Sequence, residues 1–276
     1  MAERSTAPRV ILHIGVQKTA STAIQNFMGQ NKAALAPYLT VFTPWRGTPS
    51  QLLGRKAIDY TFEPGSRTET AFVDAIGDMR AVLDQQSGPC LISHENLVGA
   101  APGSMGETGF YPYIDRIVAL LDTHLAPFRP HYVYYSREMA GWKRSVHNQI
   151  VKTDGYAGTW DEYRAHTDHI TRWDDFDQRL RAAAGADRVT RLRLEDEPDT
   201  SRPGQLLLQA AGVPASVLST LRPLDSRRNE SLNAGSLEFM RRVNAEGFAP
   251  GVRYRLGLLV AACQPLFSPS VDATRD

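Results

Sequence analysis

The stretch Val10-Ile-Leu-His-Ile-Gly-Val-Gln-Lys-Thr-Ala-Ser-Thr-Ala-Ile-Gln25 decides the fold. Val10 to Ile14 form an apolar run of the kind that makes a strand buried on both faces. Gly15 follows as a turn, then Lys18, Thr19, Ser21 and Thr22, and then a helical pattern. Ala20, Ala23, Ile24, Phe27 and Met28 recur at helical spacing and give that helix one apolar face. A strand, a basic hydroxyl-rich loop and a helix N-terminus together make an anion site. The first N–H groups of a helix lack internal partners, and the helix dipole favours negative charge there. Lys18 adds a full positive charge and the hydroxyls add donors. The expected ligand is a phosphate.

Working outward, further strands are expected at 39–43, 90–93, 131–135 and 189–194, with helical patterns between most of them. That alternation predicts an α/β fold with a mostly parallel central sheet and crossover helices. The stretch Thr159 to Ala184 reads as helical, with Trp160, Tyr163, Trp173, Phe176 and Leu180 as core. At 276 residues and 42% hydrophobic content, the chain is expected to form a single domain over 1–276, with a frayed tail from about 268. A net charge of +1 gives none of the basic field of a nucleic-acid binder. Cys90 and Cys263 cannot build a disulfide framework and read as core residues of a reducing compartment. Residues Met1 to Arg9 hold no apolar signal-like run, and the apolar run near Leu256 to Cys263 is too short to span a bilayer. A cytoplasmic protein without an integral membrane segment is expected.

Three more segments carry chemistry. His131-Tyr-Val-Tyr-Tyr-Ser-Arg137 reads as a strand ending in an arginine, followed by a helix with Trp142, Val146 and Ile150 on one face. Arg137 past the strand end and Ser145 on the helix suit a dianionic phosphate, which a guanidinium fork and a hydroxyl match well. Cys90-Leu-Ile-Ser-His-Glu-Asn-Leu97 ends a strand in His94 and Glu95, where strand C-terminal ends form the ligand crevice of an open α/β sheet. Neighbours on an extended segment point to opposite sides, so one of the two should face the crevice. Arg227-Arg-Asn-Glu-Ser-Leu232 is a late basic segment ahead of a helix with Ser231 or Asn233 as its cap. The loops 43–49 and 100–109 follow predicted strands, a natural place for an acceptor, and the second suits a lid. His166 and His169 with nearby aspartates lack an H-E-x-x-H pattern and read as a solvated helix face, so no metal site is expected.

The first loop is not a Walker A sequence: counting from Gly15, the second glycine would fall at Ala20 and the lysine at Ser21. Lys18 instead precedes the small-residue and hydroxyl run, and the segment resembles the 5′-phosphosulfate loop of sulfotransferases that use 3′-phosphoadenosine 5′-phosphosulfate (PAPS). Ala20 stands where that family often has glycine. Alanine accepts a helical first turn but disfavours positive φ, so a helix-like backbone is expected there. The resemblance implies a three-layer α/β sandwich in which Gln17, Lys18, Thr19, Ala20, Ser21 and Thr22 hold the 5′-phosphosulfate. It assigns the 3′-phosphate to Arg137 and to Ser145 eight positions later, with Arg227, Arg228 and Asn229 closing over it.

The implied reaction moves a sulfuryl group from PAPS to a hydroxyl or amine of a carbohydrate, lipid or small metabolite, leaving 3′-phosphoadenosine 5′-phosphate and needing no metal. Lys18 would stabilise the leaving phosphate. Glu95 or His94 would be the base, with Glu95 favoured because a glutamate serves in the carbohydrate branch. Two other readings compete: a nucleotide-dependent phosphotransferase, and a non-catalytic nucleotide-binding module. The broken Walker A spacing opposes the first, and the combination of Lys18, Arg137, Ser145 and a crevice acid opposes the second.

Overall fold

The computed structural model describes residues 9–225 and 231–270, so Arg227, Arg228 and Asn229 lie outside the described residues. Strands β1 (Val10–His13), β2 (Thr40–Phe42), β3 (Cys90–Ser93), β4 (His131–Ser136) and β5 (Val189–Arg193) form one sheet in the order β2-β3-β1-β4-β5. Every pairing is parallel. The five strands lie where the apolar runs predict them, to within a residue at each end. The connections before β4 are α1 (Ser21–Gln30), α2 (Lys32–Leu35), α3 (Pro49–Phe62), α4 (Ser66–Leu83) and α5 (Ile114–His124). Helices α6 (Met139–Thr153), α7 (Trp160–His166) and α8 (Asp174–Ala184) precede β5. After it come α9 (Gln205–Ala210), α10 (Ala215–Leu218), α11 (Ala234–Ala245) and α12 (Pro250–Ala262).

The strand order explains the layers. Crossovers between parallel strands are right-handed. The step from β1 to β2 runs one way across the sheet and the later steps run back, so their connections cover opposite faces. Side chains follow the same division. Ile11, Val41, Leu91, Val133 and Tyr135 pack with Ile24, Phe27 and Met28 of α1 and with Leu207 and Leu218 of α9 and α10. Tyr132 and Tyr134 alternate to the other face, where their hydroxyls donate to Asp122 of α5 (2.7 Å) and Asp177 of α8 (2.8 Å). The result is an α/β fold with helices flanking an all-parallel sheet, the arrangement of a three-layer sandwich.

The described residues divide into two compact units. The first, residues 9–100, 111–137 and 172–225, holds the whole sheet with α1 to α5 and α8 to α10. The second, residues 101–110, 138–171 and 231–270, holds α6, α7, α11 and α12. It has its own core of Val151, Leu232, Met240, Val243 and Val260. Trp142, Val146 and Ile150 are buried on α6, as their four-residue spacing predicts.

The stretch from Thr159 to Ala184, which reads as helical, holds two helices, one in each unit. A capping box of Thr159 and Glu162 starts α7. The helix stops at His166, where the Thr167 hydroxyl donates to the Tyr163 carbonyl (2.8 Å) and Lys143 donates to the Thr167 carbonyl. Asn233, one of two candidate caps, accepts from the Ser236 N–H (2.9 Å) and starts α11. The loop read as a lid is tied to its own unit: Ser104 donates to Asp154 on the segment after α6, and the Tyr163 hydroxyl donates to the Pro102 carbonyl (3.4 Å). No helix among the described residues is long and apolar enough to cross a membrane.

Candidate functional site

The loop after β1 stays attached to the sheet. The Ile14 N–H donates to the Val133 carbonyl (3.0 Å), and the Tyr135 N–H donates to the Gly15 carbonyl (2.8 Å). Gly15 has φ 102°, and a Cβ there would stand 2.7 Å from the Cα of Glu95. Only glycine serves, because the loop after β1 must lie directly on the backbone after β3. This close approach brings the two predicted site segments together in the first unit.

Beyond Gly15 the loop is held from inside. The Val16 carbonyl accepts from both the Thr19 hydroxyl (2.6 Å) and the Ser21 hydroxyl (3.2 Å). Those side chains are buried, and each hydroxyl carries a single proton. Thr19 and Ser21, expected as phosphate donors, here direct their hydroxyls to the Val16 carbonyl and brace the loop; Thr22, next along, is exposed. Gln17 is also structural. Its amide donates to the Gly99 carbonyl (2.8 Å) and the Asn96 side chain (3.2 Å), and it accepts from the Tyr111 hydroxyl (2.8 Å).

The expectation for Ala20 is overturned. Lys18 and Ala20 both have left-handed backbone, at φ 65° and 67°. The preference of alanine for negative φ, worth on the order of 1 kcal/mol, yields to the two hydroxyl bonds that fold the loop around the Val16 carbonyl. Ala20 thus serves as a non-helical N-cap with no side-chain cap of its own, and the first turn of α1 begins at Ser21. Arg137 reaches this loop from the end of β4, its Nη1 donating to the Lys18 carbonyl (3.2 Å). The Trp173 indole in turn donates to the Arg137 carbonyl (2.8 Å). Ser145 and Gln149 are half-buried on α6 in the second unit.

At the end of β3, His94 and Glu95 separate as an extended backbone requires. His94 is buried with its ring against Gly54 of α3, where an added Cβ would come within 2.0 Å of Nε2. Its Nδ1 accepts from the Asn96 N–H (3.2 Å), and a backbone hydrogen bond joins the ring to Gln51. Burial holds its pKa below the usual histidine value, against the opposing pull of Glu95 and the Gln51 backbone. His94, the alternative base, is thus buried with its Nδ1 engaged by the Asn96 N–H, and it starts the helical turn Glu95–Val98. Glu95 keeps about a quarter of its side chain exposed.

Glu95 has a neighbour that the sequence reading assigned no role. Gln25 of α1, buried, donates from Nε2 to Glu95 Oε2 (2.8 Å) and to the Ser93 carbonyl (3.4 Å). Ser93 Oγ lies 2.7 Å from Nδ1 of His13, its register partner on β1. His13 is fully buried, its Nε2 has no partner, and burial pushes its pKa down to about 3. The available signal was polarity in an apolar place: a histidine inside the first strand, and a glutamine on the buried side of α1 beside Ile24.

A neutral buried histidine links stability to pH. His13 binds its proton near pH 6.5 in the unfolded chain and only near pH 3 when folded. Its contribution is thus complete above the unfolded value and lost as pH falls through the window between them. The slope there is about 1.4 kcal/mol per pH unit. Urea denaturation from pH 7 to pH 4 should show stability falling with acid, and a His13→Asn chain should show a shallower fall. Parallel curves for the two proteins would contradict the assignment.

Comparison with family models, with curated proteins and with solved structures gave no match.

Proposed function

We propose that this chain is a sulfotransferase, moving the sulfuryl group of PAPS to a hydroxyl or amine acceptor of carbohydrate, lipid or small-metabolite type. The observation that carries the reading is the convergence, in the first unit, of the Lys18 loop, Arg137 and Glu95 at the C-terminal ends of β1, β4 and β3. Such strand ends, at the point where connections diverge to opposite faces, are where open α/β sheets bind ligands. A loop lysine, a helix start with no side-chain cap and an arginine stand at the same edge of the sheet as one carboxylate that is still open to solvent. That set suits transfer of an anionic group to a nucleophile that must lose a proton.

In the proposed reaction the acceptor oxygen or nitrogen attacks sulfur in line with the bond to the 5′-phosphate. The new bond to sulfur forms as the old S–O bond breaks, and its electron pair goes to the leaving phosphate. Lys18 and the first amides of α1 stabilise the charge that builds on that oxygen, as pre-placed donors do in a site that excludes water. Glu95 takes the acceptor's proton. Arg137 has two duties, reading the 3′-phosphate and holding the Lys18 carbonyl. Ser145 is assigned to the 3′-phosphate by its spacing from Arg137 alone.

Nucleotide selectivity tests the reading directly. Calorimetry should show 3′-phosphoadenosine 5′-phosphate binding and ATP failing to compete. The wild type should also prefer PAPS strongly over adenosine 5′-phosphosulfate, which lacks the 3′-phosphate. A lost charge-assisted contact costs roughly 1.5–3 kcal/mol, or about one to two decades of affinity. Arg137→Ala should remove most of that preference. Because the same substitution unties the Lys18 carbonyl, the ratio between the two nucleotides is the measure, not either affinity. Equal wild-type affinity for both would defeat the assignment, and tight ATP binding would favour a phosphotransferase.

A further inference from the structure

Among the described residues, the side chain that hydrogen-bonds to Glu95 is that of Gln25, and the geometry points to Gln25 as the residue that positions it. This inference rests on the sulfuryl-transfer reading, in which Glu95 is the base, and assigns a role to a residue that does not touch the acceptor.

The amide orientation of Gln25 is chemically forced. Its Nε2 faces two acceptors, Glu95 Oε2 (2.8 Å) and the Ser93 carbonyl (3.4 Å), with Ser93 Oγ at 3.5 Å. Turning the amide over would set its carbonyl oxygen against a carboxylate and a backbone carbonyl. Both N–H bonds therefore have fixed destinations, one on the base and one on the end of β3. Ser93 Oγ sits between Gln25 and His13 Nδ1 and is buried with them, so the anchor under Gln25 cannot swing into solvent.

The consequence falls on the carboxylate. A glutamate side chain has three rotatable bonds, and a partly exposed one samples several rotamers. The Gln25 bond pins Oε2, while no hydrogen bond from a described residue reaches Oε1. Oε1 is thus the oxygen presented to the acceptor proton. It is fixed by α1, the same helix whose first turn follows the Lys18 loop. One helix sets the phosphate-facing amides at its start and the base one turn further on.

The test is a double-mutant cycle with Gln25→Met, which keeps the length of the side chain and removes its donors. A misaligned reacting group costs on the order of 10²-fold in rate. Gln25→Met should lose about that much kcat while nucleotide Kd and Tm stay close to wild type. In a Glu95→Gln background the same substitution should cost almost nothing more, because its effect passes through Glu95. Full kcat in the single variant, or equal losses in both backgrounds, overturns the proposal.

A second arm is independent of turnover: the Gln25 side-chain amide resonances in an ¹⁵N–¹H spectrum. They should move on Glu95→Gln, which removes the charge from their acceptor, and unmoved resonances would also overturn the proposal. A wild-type protein that transfers no sulfate defeats the sulfuryl-transfer reading instead, and leaves Gln25 to be decided by the spectrum.

Discussion

Lys18→Ala protein should bind 3′-phosphoadenosine 5′-phosphate nearly as well as wild type yet transfer sulfate about 10²–10³ times more slowly, the usual range for losing one donor to a developing oxyanion. The asymmetry follows from when the charge appears. In bound PAPS the bridging oxygen is shared between sulfur and phosphorus, and it becomes a phosphate oxygen only as the S–O bond breaks. An interaction gained at that moment lowers kcat and kcat/KM together when it is removed. The surrounding loop supports a clean experiment. Lys18 takes part in its architecture through the backbone carbonyl that accepts from Arg137, and alanine keeps that carbonyl. The left-handed φ of 65° is no easier for lysine than for alanine, so the substitution adds no strain. Single-turnover and binding measurements on the two proteins would decide it. A raised KM with unchanged turnover would remove Lys18 from the transition state.

The second large effect is expected at Glu95. A positioned base contributes on the order of 10²–10⁴ in rate, so Glu95→Gln should retain nucleotide binding and lose most turnover. His94→Ala should behave differently. The His94 ring fills the space over Gly54 and caps the turn after β3, so its loss opens a cavity and leaves the Asn96 N–H without its acceptor. That variant should show a lowered Tm, with activity falling in step with the folded fraction. Activity of both variants, measured against the amount of folded protein, separates the two roles. Full turnover in Glu95→Gln would place the base elsewhere.

Much of this was legible in the amino-acid order because it depends on local rules. Five apolar runs gave five strands, and the alternation with helical patterns gave the parallel sheet. The pairing of a basic loop with a helix start marked the loop after β1 as the candidate anion site. What was not legible depends on contacts between distant residues. The hydroxyls of Thr19 and Ser21 read as ligand donors because nothing in the sequence shows the Val16 carbonyl folded back beneath them. The backbone of Ala20 follows from those same bonds, so a propensity argument at that position pointed the wrong way. The different surroundings of His94 and Glu95 depend on α3, whose Gly54, about forty positions upstream, receives the imidazole. In the amino-acid order alone, Gln25 is one polar residue on an otherwise ordinary amphipathic helix. Its meaning depends on Ser93 and Glu95, about seventy residues away.

The division of the chain also bears on its modularity. The second unit is assembled from three stretches, 101–110, 138–171 and 231–270, and the polypeptide returns to the first unit between them. No single cut liberates either half. Ending the chain after Asp225 would strip α11 and α12 from α6 and remove most of the core around Met240 and Val260. Ending it after Arg137 would cost the sheet its edge strand β5 as well. The boundary between Arg137 and Glu138 falls between two consecutive residues, with no linker to lengthen or exchange. A fold wired in this way is inherited whole: shuffling of contiguous segments cannot trade one half for another. Diversity in such a fold must therefore come from substitutions and loop insertions.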